Sequence, residues 1–146
     1  MKKEPKNIFT QGAIEPAFIA ESIVGHSSKK GIGGHGIFLG QIREDIVEGK
    51  AVSAIEYTAY EEMALEKMHE IREQIFQKYP LACLHVYHSL GTVRAGEICL
   101  FVFTSSKHRT AAMESCNELV ERIKKELPVW GKEIFDDTSH QWKTNK

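Results

Sequence analysis

Cysteine, proline and tryptophan are all scarce in this chain of 146 residues, which holds three, four and two of them respectively. Cys83, Cys99 and Cys116 are odd in number, widely spaced and each set in an apolar run, which speaks against a disulfide framework. They are expected to be buried free thiols in a reducing compartment. An excess of either charge is missing too: 19 Lys and Arg face 20 Asp and Glu, for a net charge of −1. A generic nucleic-acid binder carries a basic balance, so none is expected here, and any anionic ligand must be held by a local cluster. No apolar stretch approaches the ~18–20 residues of a membrane span. The basic start, Met1 to Lys6, leads into no apolar segment, so no secretory leader and a cytoplasmic location are expected. No G-x-S-x-G, C-x-x-C or H-E-x-x-H occurs. His26, His35, His69, His85, His88 and His140 show no tight spacing with a third ligand, so no metal is expected.

What remains is an ordinary globular composition, 42% hydrophobic and 27% charged, of a length that suits one domain spanning residues 1–146. Glu15-Pro16 opens an amphipathic stretch to about Ile23, since proline suits a first helical turn. Gly31 to Gly36 reads as a flexible glycine-rich connection. Ile37 to Leu39 reads as a strand leading through Gly40 to Arg43. Ala51 to Tyr57 reads as a second strand, and the pair is expected as a hairpin closed by a long polar loop. Residues 61–79 form a helix with Ala64, Met68, Ile71, Ile75 and Tyr79 along one stripe, and Pro80 stops it. Leu84 to Tyr87 is a strand, Gly91 and Gly96 mark a turn, and Ile98 to Thr104 is a β-rich run. A helix over about 107–127 buries Ala112, Cys116, Leu119, Ile123 and Leu127, with Pro128 as its stop. The tail from Val129 to Lys146 reads as irregular, anchored by Trp130 and Trp142. Strands and helices alternate without a strict β-α-β rhythm, which predicts an α+β fold.

Gly31-Ile32-Gly33-Gly34-His35-Gly36 matches G-x-G-x-x-G, but a helix precedes it and a strand follows, the reverse of a dinucleotide site. Ser106-Lys107-His108-Arg109 sits where a strand ends and a helix begins. Free backbone N–H groups and the positive helix end favour an anion there, and basic side chains are costly without one. Lys124 and Lys125, near the helix C-terminus, and Lys132 beyond it are ordinary solvated positions on spacing alone. Arg43 follows a strand end. These residues together predict an oxyanion or phosphate pocket built from Arg43, His108, Arg109 and a lysine, and they specify no reaction.

From about Gly36 to Trp142 the sequence resembles the large, catalytic subunit of molybdopterin synthase, the MoaE family. The segments that carry the resemblance are Phe38-Leu39-Gly40-Gln41-Ile42-Arg43, Ile55-Glu56-Tyr57-Thr58-Ala59-Tyr60 with Met63-Ala64, and His88 with Gly91 and Gly96-Glu97. They continue with Ser106-Lys107-His108-Arg109, Ala112, Cys116, Lys124 and Pro128-Val129-Trp130-Gly131-Lys132-Glu133. The resemblance implies an α/β hammerhead-like domain with an antiparallel β subdomain. It implies a sulfurtransferase that converts cyclic pyranopterin monophosphate (precursor Z) to molybdopterin. Sulfur would come from the thiocarboxylate on the C-terminal Gly-Gly of a small ubiquitin-like subunit, within a heterotetramer built on a dimer of large subunits, without metal or cofactor. Lys124 and Lys132 are the implied catalytic residues. Gln41, Ile42, Arg43, His108, Arg109, Gly131, Lys132 and Glu133 are the implied substrate contacts.

Two positions depart from the family pattern. Gly131 stands where a Pro-x-Trp-Lys-Lys-Glu run has its first lysine, and His88-Ser89 replaces a His-Arg pair. A one-residue shift in an extended segment turns a side chain to the opposite face, so Lys132 is not automatically equivalent to the missing lysine. The other reading is a non-catalytic module that binds a ubiquitin-like tail or a phosphorylated metabolite.

Overall fold

The computed structural model describes residues 6–143; Met1 to Pro5 and the last three residues of the expected tail lie outside them. The chain runs β1 (Phe9–Gln11), α1 (Pro16–His26), β2 (Gly34–Gln41), β3 (Ile46–Val47), β4 (Lys50–Ala59), α2 (Glu61–Lys78), β5 (Leu81–Arg94), β6 (Ile98–Ser106), α3 (Arg109–Glu126), β7 (Val129–Phe135) and β8 (His140–Trp142). The strands form one sheet in the order β2-β6-β5-β4-β7-β8, with β1 on β5 and β3 on β4. All pairings are antiparallel except that of β1 with β5. The expected α+β class holds.

Helices cover both faces. Met68, Ile71 and Ile75 of α2 and Cys116, Leu119 and Ile123 of α3 pack with Leu84, Val86, Leu100 and Val102 on one side. Ile19 of α1 packs with Ile14, Phe101 and Phe103 on the other. A strand covered on both faces loses its polar alternation, which is why Cys99 to Ser106 are buried without interruption.

β5 belongs to two halves of the sheet. Its residues Leu81 to His88 pair with β6, whereas Gly91 to Arg94 pair with β4. The change falls at Gly91, whose φ of 78° favours glycine. The strand therefore continues through Gly91, and the turn lies at Ala95-Gly96. One half carries the helices; the other, β3, β4, β7 and β8, is an antiparallel extension.

Three expectations are corrected. The β2–β4 hairpin does not form: β2 pairs with β6, and β4 pairs with β3, β5 and β7. The tail is not irregular, because β7 pairs with β4 from Val52 to Ala59 and β8 adds to β7. Its tryptophans are not anchors, since Trp130 is 43% and Trp142 62% exposed.

The glycine-rich run is also not a loose connection beyond Gly33. It enters β2 and passes under α3. A Cβ on Gly36 would lie 2.7 Å from Thr104 Oγ1 and 2.8 Å from Cys116 Cβ and would collide with the Ala112 carbonyl. The glycines are there for close strand–helix approach. Gly36→Ala should lower unfolding free energy by about 1–3 kcal/mol through overpacking, measured by urea denaturation, whereas Gly31→Ala, with open space around it, should change it little.

Candidate functional site

At the seam between the two halves lies a cleft of about 100 Å³, walled by Phe38, Gly40 and Gln41 of β2, Tyr57 of β4, His88 of β5, Cys99 and Leu100 of β6, and Val129 and Gly131 of β7. Lys124, in the last turn of α3, and Lys143, just after β8, reach it from the rim. Two ammonium groups thus face one cleft, and among the described residues no carboxylate lines it. That charge arrangement suits an anion or a carbonyl that gains negative charge.

Each wall follows from local structure. The helix dipole favours cations at the end of α3, which stabilises Lys124 and Lys125 there. Lys124 Nζ also sits 5.8 Å from the centroid of the Phe38 ring, a cation–π distance. Lys143 is fixed through its main chain, whose N–H donates to the Gly131 carbonyl at 2.8 Å. Gly131 pairs directly with Tyr57, and a Cβ on it would lie 2.9 Å from Ile55 Cγ2 and 3.2 Å from Tyr57 Cε1. Any side chain at 131 would displace the cleft wall.

The floor is neutral and tightly bonded. Tyr57 Oη donates to Cys99 Sγ at 3.6 Å, and the thiol donates to the Gly40 carbonyl at 3.4 Å. Burial pushes both the Tyr57 hydroxyl and the Cys99 thiol up, in the latter case against the pull of Lys143 and Lys124. Cys99 is thus held as a thiol, not poised as a thiolate nucleophile. His88 is buried, its Nδ1–H donating to the Ser89 carbonyl at 2.8 Å, and burial pushes its pKa down. Ser89 is fully buried with an unpartnered hydroxyl, and it does not line the cleft.

The sequence-predicted residues are only partly brought together. Gln41, Gly131 and Lys124 line the cleft. Ile42 is buried in the core. Arg43 is exposed and pairs with Asp45 at 3.2 Å. His108 and Arg109 begin α3, about 22 Å from Lys124 at 1.5 Å per residue. Arg43, His108, Arg109 and a lysine therefore do not share one pocket within a single chain. Lys132 faces away from the cleft, as strand alternation requires when Gly131 faces it. It pairs with Glu56 at 3.2 Å and lies 5.8 Å from the Trp142 ring centroid. Glu133 is buried and accepts from Gln141 Nε2 at 3.1 Å. Sequence reasoning missed Tyr57's role as a wall and the whole of Lys143, which no spacing connects to Lys124.

A family model described as MoaE protein matches residues 10–126. Among curated proteins, the chain is 35% identical to the molybdopterin synthase catalytic subunit of Pyrococcus abyssi over 82% of its own length and 80% of that protein's. It is 41% identical over 77% of its length to the protein of the same name from Drosophila grimshawi, of which it spans 32%. Among solved structures, molybdopterin synthase from Staphylococcus aureus superposes with a TM-score of 0.81 at 28% identity, covering 99% of this chain and 98% of that one.

Three histidines are pushed toward the neutral form, buried His88, half-buried His85 and the more exposed His35. Burial is the main cause for His35, His85 and His88, and it brings His85 to about 4. Unfolded histidine takes up its proton near 6.5, so this contribution to stability is complete above that pH and is lost on acidification toward the folded values. The urea midpoint should fall between pH 6.5 and 4, and His88→Gln should flatten that dependence; an unchanged slope in the variant would remove His88 from it.

Proposed function

The chain belongs to the MoaE family, and from that premise we propose that it is the catalytic subunit of a molybdopterin synthase, transferring sulfur onto a cyclic pyranopterin monophosphate. The observation that carries this reading is the pairing of Lys124 with Lys143 over a cleft without carboxylates. The sulfur donor is the C-terminal thiocarboxylate of a small ubiquitin-like subunit, and its diglycine end suits a narrow cleft. At about 100 Å³ the space is well below the ~300 Å³ at which pockets for small organic ligands begin. The thiocarboxylate is the nucleophile, so no protein thiol is needed. Lys124 acts in proton transfer and stabilises charge on the carbonyl as water adds to it, the sulfur leaving with the pterin and the tail leaving as a carboxylate. Lys143 supplies the second ammonium, the position of Gly131 being filled by the Tyr57 ring.

The pterin phosphate is held by Arg43 with His108 and Arg109 of a second copy. β2 is an outer strand of the sheet, and with α3 it borders a groove of about 580 Å³. Ile37, Leu39 and Met113 are exposed along these two elements. An apolar edge of this kind suits a second copy. Antiparallel packing of the two α3 helices across it brings His108 and Arg109 of one chain to Lys124 of the other.

Turnover is measured with purified protein, thiocarboxylated small subunit and pterin substrate, scoring the dithiolene product. Lys124→Ala should lose ~10²–10⁴-fold in rate while still binding the small subunit. Mixing it with Arg109→Ala should recover activity, since mixed dimers contain one intact site. No recovery would refute the shared site, and no product from the unaltered protein would refute the sulfurtransferase.

The two remaining lysines should separate cleanly in the same assay. Lys143→Ala should lose roughly tenfold or more in rate, with Lys143→Arg retaining more. Lys132→Ala should stay near the unaltered rate, because its ammonium is engaged by Glu56 on the other face.

A further inference from the structure

On the opposite side of the sheet from the cleft, three ligand atoms converge. His26 ends α1, while Cys83 and His85 stand two apart on β5 and so project from the same face. His26 Nε2 and His85 Nε2 are 3.1 Å apart. With Cys83 Sγ they form a set in which all three atoms lie within 4.8 Å of one another. His26 Nδ1 is 2.7 Å from the Ser22 carbonyl. A carbonyl only accepts, so Nδ1 carries the proton and Nε2 turns a lone pair toward His85. This is the arrangement by which a second hydrogen bond orients a metal-binding imidazole.

Two further observations point to a cation. Lys29 Nζ lies 2.8 Å from Cys83 Sγ, so positive charge is already favourable at the sulfur. Lys29 is exposed and can swing into solvent when another cation takes its place. A cavity of about 280 Å³, bordered by Ser22, Gly25, His26, Lys29 and His85, opens beside the cluster and leaves room for a water as fourth ligand.

We propose that His26, Cys83 and His85 form a binding site for a thiophilic divalent cation of the Zn²⁺ class. In a tetrahedral zinc site, bonds of about 2.0–2.1 Å to nitrogen and about 2.3 Å to sulfur set N···N near 3.3 Å and N···S near 3.6 Å. The two nitrogens are already close to that separation, and side-chain rotation brings the sulfur in. Imidazole and thiolate select zinc-like ions over Mg²⁺ or Ca²⁺. On binding, the Cys83 thiol proton leaves to solvent, His85 shifts its single ring proton from Nε2 to Nδ1 so that both imidazoles stay neutral, and Lys29 departs with its own proton. The ion would pin the end of α1 to the first part of β5. The site is separate from the cleft and does not depend on the sulfurtransferase reading. It also reverses the expectation of no metal, which rested on spacing: His26 and His85 lie 59 residues apart in the chain.

The test uses the full chain, free of tag histidines and stripped by chelator, titrated first with Co²⁺ and then with Zn²⁺. One Co²⁺ per chain should bind with a thiolate-to-cobalt charge-transfer band that Zn²⁺ displaces and that Cys83→Ser abolishes. His26→Ala and His85→Gln should each weaken Zn²⁺ binding by about tenfold or more. Lys29→Met should tighten it by removing the competing ammonium. Zn²⁺ should raise the thermal midpoint of the unaltered protein and not that of Cys83→Ser. Absence of the thiolate band, its survival in Cys83→Ser, or unchanged Zn²⁺ affinity in His26→Ala would overturn the proposal. Should a variant fail to fold, X-ray absorption on the zinc-loaded unaltered protein decides: one sulfur and two imidazoles support the site, and a shell without sulfur refutes it.

Discussion

The long strand β5 carries the architecture, because its antiparallel hydrogen bonds are divided between two neighbours, with β1 pairing in parallel at His88 to Leu90 where they change over. From Leu81 to His88 they go to β6, and from Gly91 to Arg94 they go to β4. A buried strand must satisfy its N–H and C=O groups somewhere, and here the two sets of partners diverge at a residue in the left-handed region, Gly91. The gap between the diverging halves is where the cleft forms. His88 lies at its inner edge and Tyr57 and Gly131 at its outer one.

A second close approach sets the cleft's other wall. β2 runs beneath α3 only because Gly36 lacks a side chain, and this brings Phe38 within cation–π distance of Lys124. One packing requirement therefore explains the glycine-rich segment and also helps to position the lysine at the rim. Gly131 works in the same manner on β7, where the space beside it is taken by Ile55 and Tyr57. The ammonium that a side chain at 131 would have carried arrives instead from Lys143, held by a main-chain bond to the same glycine.

The elements that were legible in advance are those whose signal is local. The stripes of α2 and α3 appear in the order of their residues, since 3.6-residue periodicity needs no partner to be seen, and Ala64, Met68, Ile71, Ile75, Ala112, Cys116, Leu119 and Ile123 are all buried. The proline stops fall where expected. What misled were strands whose pairing is decided by partners distant in the chain. β7 carries exposed Trp130 and a glycine, so its strand character comes from pairing with β4 and not from propensity. The β2–β4 hairpin failed for a related reason: adjacency in sequence suggested a pairing that the register with β6 overrides.

The sequence by itself determined the helices, the burial of the three cysteines and the family pattern, because each is written in residue types at fixed spacing. Tertiary structure alone decided which cations meet. Lys124 and Lys143 share a cleft while Lys132, one residue past Gly131, is turned to the other face by the two-residue alternation of β7. Likewise His26, Cys83 and His85 become neighbours only when α1 lies across β5. Side-chain convergence depends on the packing of elements far apart in the chain, and that distance is information a linear spacing does not contain.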